Sequence, residues 1–160
     1  WNIMEKNNKK IFMSLALEEA KISASKGEVP VGAVTVKNNE VIAKSGNRME
    51  NTDDPLQHAE MIVLKNTADI LKNMGLSIKY EKIDLYVTLE PCTMCAYAIS
   101  LCRIENLIYG ADDPKRGGIN FGSKVFQQST CHHKPNIFSG IRKNDSEQLL
   151  KEFFIKLRKK

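Results

Sequence analysis

The chain has 160 residues, a formal net charge of +5 and a sequence pI of about 9.0, a length that suits one domain. Its 42% hydrophobic content allows an ordinary core, while a mean hydropathy of −0.35 and the lack of any apolar run near ~20 residues exclude a membrane-spanning helix. The start, Trp1 to Lys6, has no apolar signal region, and four cysteines in that context read as thiolate ligands or buried thiols, which places the chain in a reducing cytoplasm.

Trp1 is not an ordinary initiator, and Met4 is the candidate natural start. Residues 8–25 read as a helix, with Phe12, Met13, Ala16, Leu17, Ala20 and Ala24 on one apolar stripe and Gly27 placed to stop it. Residues 29–36 are rich in β-formers, residues 37–40 make a turn, and Val41-Ile42-Ala43 starts a second strand, which together predict a hairpin. Residues 46–57 are polar and irregular. His58 opens the next helix, with Met61, Leu64, Ala68 and Leu71 as its core stripe and Gly75 near its end. Residues 83–88 read as a strand. Pro91 marks a helix start, because its fixed φ suits the first turn, and residues 93–101 continue that helix. Residues 105–110 predict a further strand, residues 112–123 a Gly-rich charged loop, Val125-Phe126 a short helix and residues 135–139 an edge strand. Residues 144–160 close the chain as a helix, with Asn144 as N-cap and Leu150, Phe153, Phe154 and Leu157 facing inward. No repeat or linker divides the chain. Alternating strands and helices predict an α/β fold of three layers, α/β/α, around a mixed sheet of about five strands.

The chemistry concentrates in His58-Ala59-Glu60 and Pro91-Cys92-Thr93-Met94-Cys95. Imidazole and thiolate suit Zn²⁺, and three protein ligands (His58, Cys92, Cys95) leave a fourth position for water. Bound zinc lowers the pKa of that water to roughly 7. Glu60 is the candidate proton carrier beside it. Both halves of the motif fall at predicted helix N-termini, where unpaired N–H groups and the helix dipole favour thiolate. His58 and Glu60 are not neighbours on a regular helix face, so their convergence requires an irregular helix start. A lone C-x-x-C also describes a redox pair, and a Cys₄ structural site would need Cys102 and Cys131, which lack a second close pair. Cys102 reads as a core thiol. Cys131-His132-His133 reads as a mobile polar loop in preference to a second metal site. Basic residues gather at Lys6, Lys9 and Lys10 and again at Lys151, Lys156, Arg158, Lys159 and Lys160. Such charge favours polyanions through counterion release, although lysine-rich surfaces are common.

The H-x-E…P-C-x-x-C arrangement is the known signature of zinc deaminases, and the chain resembles the cytidine-deaminase-like superfamily. The likeness is greatest to its bacterial tRNA-specific adenosine deaminases. It runs from about Phe12 to Arg158 through residues 29–34, Asn47-Arg48, His58-Ala59-Glu60, residues 85–95, residues 110–115 and Phe153-Phe154. The zinc motif identifies the superfamily; the Gly110-Ala111-Asp112-Asp113-Pro114-Lys115 stretch and the Phe-Phe helix narrow it.

What the resemblance implies is hydrolytic deamination of adenosine to inosine at the wobble position of a tRNA anticodon stem-loop, by a cytoplasmic homodimer with one Zn²⁺ per subunit. By likeness, His58, Cys92 and Cys95 hold the metal and Glu60 carries protons from the water to the purine ring and the leaving amine. Asn47 hydrogen-bonds the base, the Ala59 backbone lies at the pocket floor, and Asp113 and Lys115 contact flanking nucleotides. Two stretches depart from the family pattern: residues 116–123 are longer than the usual compact turn, and Cys131-His132-His133-Lys134 replaces a usual Asn-His-Arg. A free base or nucleotide (guanine, cytosine or dCMP) is the alternative substrate. A zinc-stabilised RNA-binding module, or the inactive partner of a heterodimer, is the non-enzyme alternative; inactive deaminase partners typically lose the carboxylate, and Glu60 is present.

Overall fold

The computed structural model describes residues 3–159; Trp1, Asn2 and the terminal Lys160 lie outside the described residues. The helices are α1 (Ile3–Ser25), α2 (Met49–Thr52), α3 (Ala59–Asn73), α4 (Thr93–Leu101) and α5 (Lys143–Arg158). The strands are β1 (Gly32–Lys37), β2 (Glu40–Gly46), β3 (Asp84–Leu89), β4 (Asn106–Ala111) and β5 (Asn136–Phe138). They form one sheet in the order β2-β1-β3-β4-β5, with β1 antiparallel to both neighbours and β3, β4 and β5 parallel. This is the expected three-layer α/β/α arrangement with a mixed five-stranded sheet.

Strand alternation builds the layers. Val34, Val36, Tyr86 and Ile108 face one way and pack on Phe12, Met13, Ala16 and Leu17 of α1, with Leu149 of α5 against them. Their neighbours Ala33, Leu85, Val87, Leu107 and Tyr109 face the other way and pack on Val63, Leu64 and Leu71 of α3 and Ala96 and Ile99 of α4. The hairpin turns on Asn38 and Asn39, both at positive φ (51° and 62°), the geometry that matches strand twist. Helix α1 lies directly on β1 because Gly32 has no side chain: a Cβ there would sit 1.9 Å from the Ala16 carbonyl oxygen.

Several expectations need correction. Helix α1 begins at Ile3, earlier than residue 8. The irregular stretch after β2 contains the four-residue α2. The buried side of α3 is rotated from the expected stripe: Ile62, Val63, Leu64, Thr67 and Leu71 are buried, Met61 and Ala68 only partly so. Thr67 hydrogen-bonds Thr35 at 2.6 Å, which turns that side towards the sheet. Pro91 precedes the N-cap of α4 instead of opening the helix. Helix α5 starts at Lys143 behind Arg142, so Asn144 is not its cap, and Phe154 and Leu157 are exposed. Cys131-His132-His133 is held in place: Cys131 is buried, Ser100 Oγ donates to the His133 carbonyl at 2.8 Å, and His133 Nε2 lies 2.7 Å from the Ile104 carbonyl. No described helix is long and apolar enough to cross a membrane.

Candidate active site

The carboxyl ends of β3 and β4 and the end of β2 open on one cleft of about 730 Å³, within the range of small-molecule sites. His58, Glu60, Cys92, Asn47, Asp113 and Lys115 all line it.

Two helix starts deliver the candidate metal donors. His58 is the N-cap of α3, with extended backbone (φ −69°, ψ 148°), so the chain turns between His58 and the first helical residue, Ala59. That irregular start lets His58 and Glu60 serve one cleft. His58 makes no capping bond of its own; the Ala59 N–H donates instead to Asn47 Oδ1 at 2.8 Å. A remote side chain therefore satisfies the helix start, and the imidazole stays available. Cys92 is the N-cap of α4 and Cys95 lies one turn inside. His58 Nδ1 is 3.7 Å from Cys92 Sγ and 3.5 Å from Cys95 Sγ, and the ligand atoms of all three residues lie within 4.8 Å of one another. Among the described residues this is the one group of three or more such side chains that could share a metal ion. Neither Cys102 nor the Cys131-His132-His133 run joins one.

The electrostatics fit a divalent cation. The Cys95 thiol donates to Cys92 and, against the cost of burial, holds Cys92 down at about 4, with His58 assisting. The same contact pushes Cys95 far up, and the Cys92 sulfur raises His58. The donors thus compete for a remaining proton, which a cation that accepts sulfur ligands, such as Zn²⁺, would displace on binding. Glu60 is 3% exposed, and burial pushes its carboxyl above the ordinary carboxylate range.

The walls of the cleft contain further residues to which motif reading gave no role in the site. Glu90 and Arg116 come from the junction after β3 and the loop after β4; Phe154, Leu157 and Arg158 come from α5. Asp113 Oδ1 accepts the N–H groups of Lys115 (3.2 Å) and Arg116 (3.1 Å), closing a tight turn at the rim. Glu90 stands beside the Pro-Cys motif, and a carboxylate there was the available signal.

A family model for MafB19-like deaminases matches residues 7–158. The chain is 48% identical over 143 residues to a tRNA-specific adenosine deaminase of Agrobacterium fabrum, covering 89% of this chain and 91% of that protein. The chain belongs to the tRNA-specific adenosine deaminase family. A solved structure from work on A-to-I editing by tRNA:A34 deaminases at the wobble position of transfer RNA superposes with a TM-score of 0.79 at 46% identity, covering 87% of this chain and 98% of that one. The guanine deaminase of Nitrosomonas europaea shares the fold at 16% identity, with a TM-score of 0.73 over 90% of this chain and 83% of that one.

Proposed function

We propose that the chain is a single zinc-dependent deaminase domain that converts adenosine to inosine at the wobble position of a tRNA anticodon. The observation that carries the reading is the meeting of His58, Cys92 and Cys95 at a cleft that His58, Cys92 and the buried Glu60 line. The substrate follows from the relatives, named for tRNA-specific adenosine deamination.

His58 Nδ1, Cys92 Sγ and Cys95 Sγ would hold Zn²⁺, which when bound makes water nucleophilic at neutral pH. Glu60 takes a proton from the attacking water and passes it to the purine ring nitrogen next to C6. The second water proton reaches the C6 amine through the same carboxyl, and ammonia leaves. A buried carboxyl with a raised pKa suits this two-way traffic. Asn47, whose Oδ1 is taken by the Ala59 N–H, offers its Nδ2 to the base, while the Ala59 backbone forms the floor. Asp113 and Lys115 contact the nucleotides on either side. A base in an anticodon loop leaves its stack at low cost, so the pocket need not open a duplex. The family resemblance extends to a cytoplasmic homodimer. Tyr97 and Leu101, exposed one turn apart on α4, support a further buried face in the assembled protein.

The test is turnover of an anticodon stem-loop against free guanine, with Glu60→Ala alongside. The wild type forms inosine in the stem-loop and leaves guanine unchanged. Glu60→Ala keeps zinc and stem-loop binding and loses at least ~10²–10⁴-fold in kcat, the usual worth of a general acid–base group. Turnover of guanine alone would assign the free-base reading, and near-normal activity of the variant would remove Glu60 from its role.

A further inference from the structure

We infer that Glu90 is a positioning residue whose buried carboxylate fixes the loop of residues 112–121 as the wall against which the substrate is held. What the wall contacts rests on the function proposed above.

Glu90 is 2% exposed and forms no ion pair among the described residues. Its carboxylate is satisfied by backbone instead. Oε1 accepts the Asp113 N–H at 3.1 Å, and Oε2 accepts the N–H groups of Ile119 (3.1 Å), Asn120 (3.1 Å) and Phe121 (3.2 Å). Converging amides of this kind form an anion nest, and bonds to a charged acceptor are stronger than neutral ones. Four backbone donors thus converge on one side chain.

The loop is shaped around that charge. A Cβ at Gly117 would lie 2.1 Å from Glu90 Oε2 and 2.6 Å from the Asp113 carbonyl, so only glycine lets the chain close there. Gly117 also bridges to Cys92, and the Gly118 N–H donates to the Pro91 carbonyl at 2.8 Å. Residues 90–92 therefore grip the loop and deliver a metal donor within the same three positions. Three of the four donors to Glu90 come from residues 119–121. That part of the loop is folded back onto the carboxylate, while Asp113, Lys115 and Arg116 line the cleft.

Glu90→Gln and Gly117→Ala, made separately in the full chain loaded with zinc, test this by backbone hydrogen exchange and by kinetics on the anticodon stem-loop. In Glu90→Gln the amides of Ile119, Asn120 and Phe121 exchange about 10–100-fold faster, the scale set by losing charged acceptors. KM rises about tenfold or more while kcat stays within about threefold, as expected when binding and not the chemical step is impaired. Zinc content stays at one per chain. Gly117→Ala drives its new Cβ against the Glu90 carboxylate and the Asp113 carbonyl, parts the loop from that carboxylate and gives the same pattern, so it carries the test should Glu90→Gln not fold. Unchanged exchange, or a kcat loss at unchanged KM, overturns the proposal. Collapse of both variants with loss of zinc makes the role purely structural and overturns it too. A wild type inactive on the stem-loop would refute the proposed function, while the exchange result would still judge Glu90.

Discussion

Glu28 is 1% exposed, and its carboxylate accepts the N–H groups of Glu50 (3.0 Å) and Asn51 (2.9 Å) as well as the Asn51 side-chain amide. These bonds open α2, whose first residue Met49 lines the cleft. Burial raises the carboxyl, but the bonds from Asn51 and Glu50, with the nearby Arg48, outweigh it and hold Glu28 below the ordinary carboxylate value. The sign follows from proton binding. Between the folded and unfolded pKa the unfolded chain binds more protons, so the stabilisation is present above the unfolded value and is lost as pH falls through the folded one. Glu28→Gln is expected to lower stability at pH 7 by about 2 kcal/mol, or ~4–8 °C in Tm for a chain of this size. The difference from wild type shrinks below about pH 4. Thermal melts of both proteins between pH 3 and pH 7 check this, and a difference independent of pH would contradict it. Nothing in the sequence joins residue 28 to residues 50 and 51. The donors are backbone groups, which leave no mark on residue type, and the same is true of the amides gathered by Glu90.

Helix α5 shows where periodicity stops being informative. The apolar stripe at Leu150, Phe153, Phe154 and Leu157 was legible, but a stripe says only that one side avoids water, not what covers it. Ser146 is the one buried residue of this helix, and its Oγ donates to the Thr88 carbonyl at 2.5 Å, tying the helix start to β3. From that anchor the later turns run along the cleft, and Leu150, Phe154 and Leu157 line it. Phe154, 40% exposed, packs edge-on to Phe153 and presents an aromatic surface to any bound base. Phe154→Ala therefore leaves Tm within about 1 °C, because little core is lost. It weakens stem-loop binding about 5–150-fold, the worth of ~1–3 kcal/mol for a base–aromatic contact. Calorimetry and binding titration on one preparation separate the two effects, and a large Tm loss with unchanged affinity would return the helix to the core. The stripe on α3 shifted for a related reason: the Thr35–Thr67 bond buries a polar residue that hydrophobic counting passes over.

The whole molecule sets the site by topology. Parallel β3 and β4 end side by side, so the Glu90-Pro91-Cys92 junction and the Asp112-Asp113 loop emerge together, and the strand order brings the end of β2 and Asn47 to the same edge. Ligand sites in open α/β sheets favour such carboxyl ends. The donor types and their helix-start positions were readable because metal chemistry limits which side chains serve, whereas the loop that walls the cleft depends on backbone contacts. The central claim is that residues 58, 92 and 95 share one ion. X-ray absorption at the zinc edge of the purified protein tests it most directly. The account predicts one zinc per chain with two sulfur neighbours at about 2.3 Å and the remaining neighbours nitrogen or oxygen at about 2.0 Å. A shell of four sulfurs, or zinc without sulfur neighbours, would contradict it.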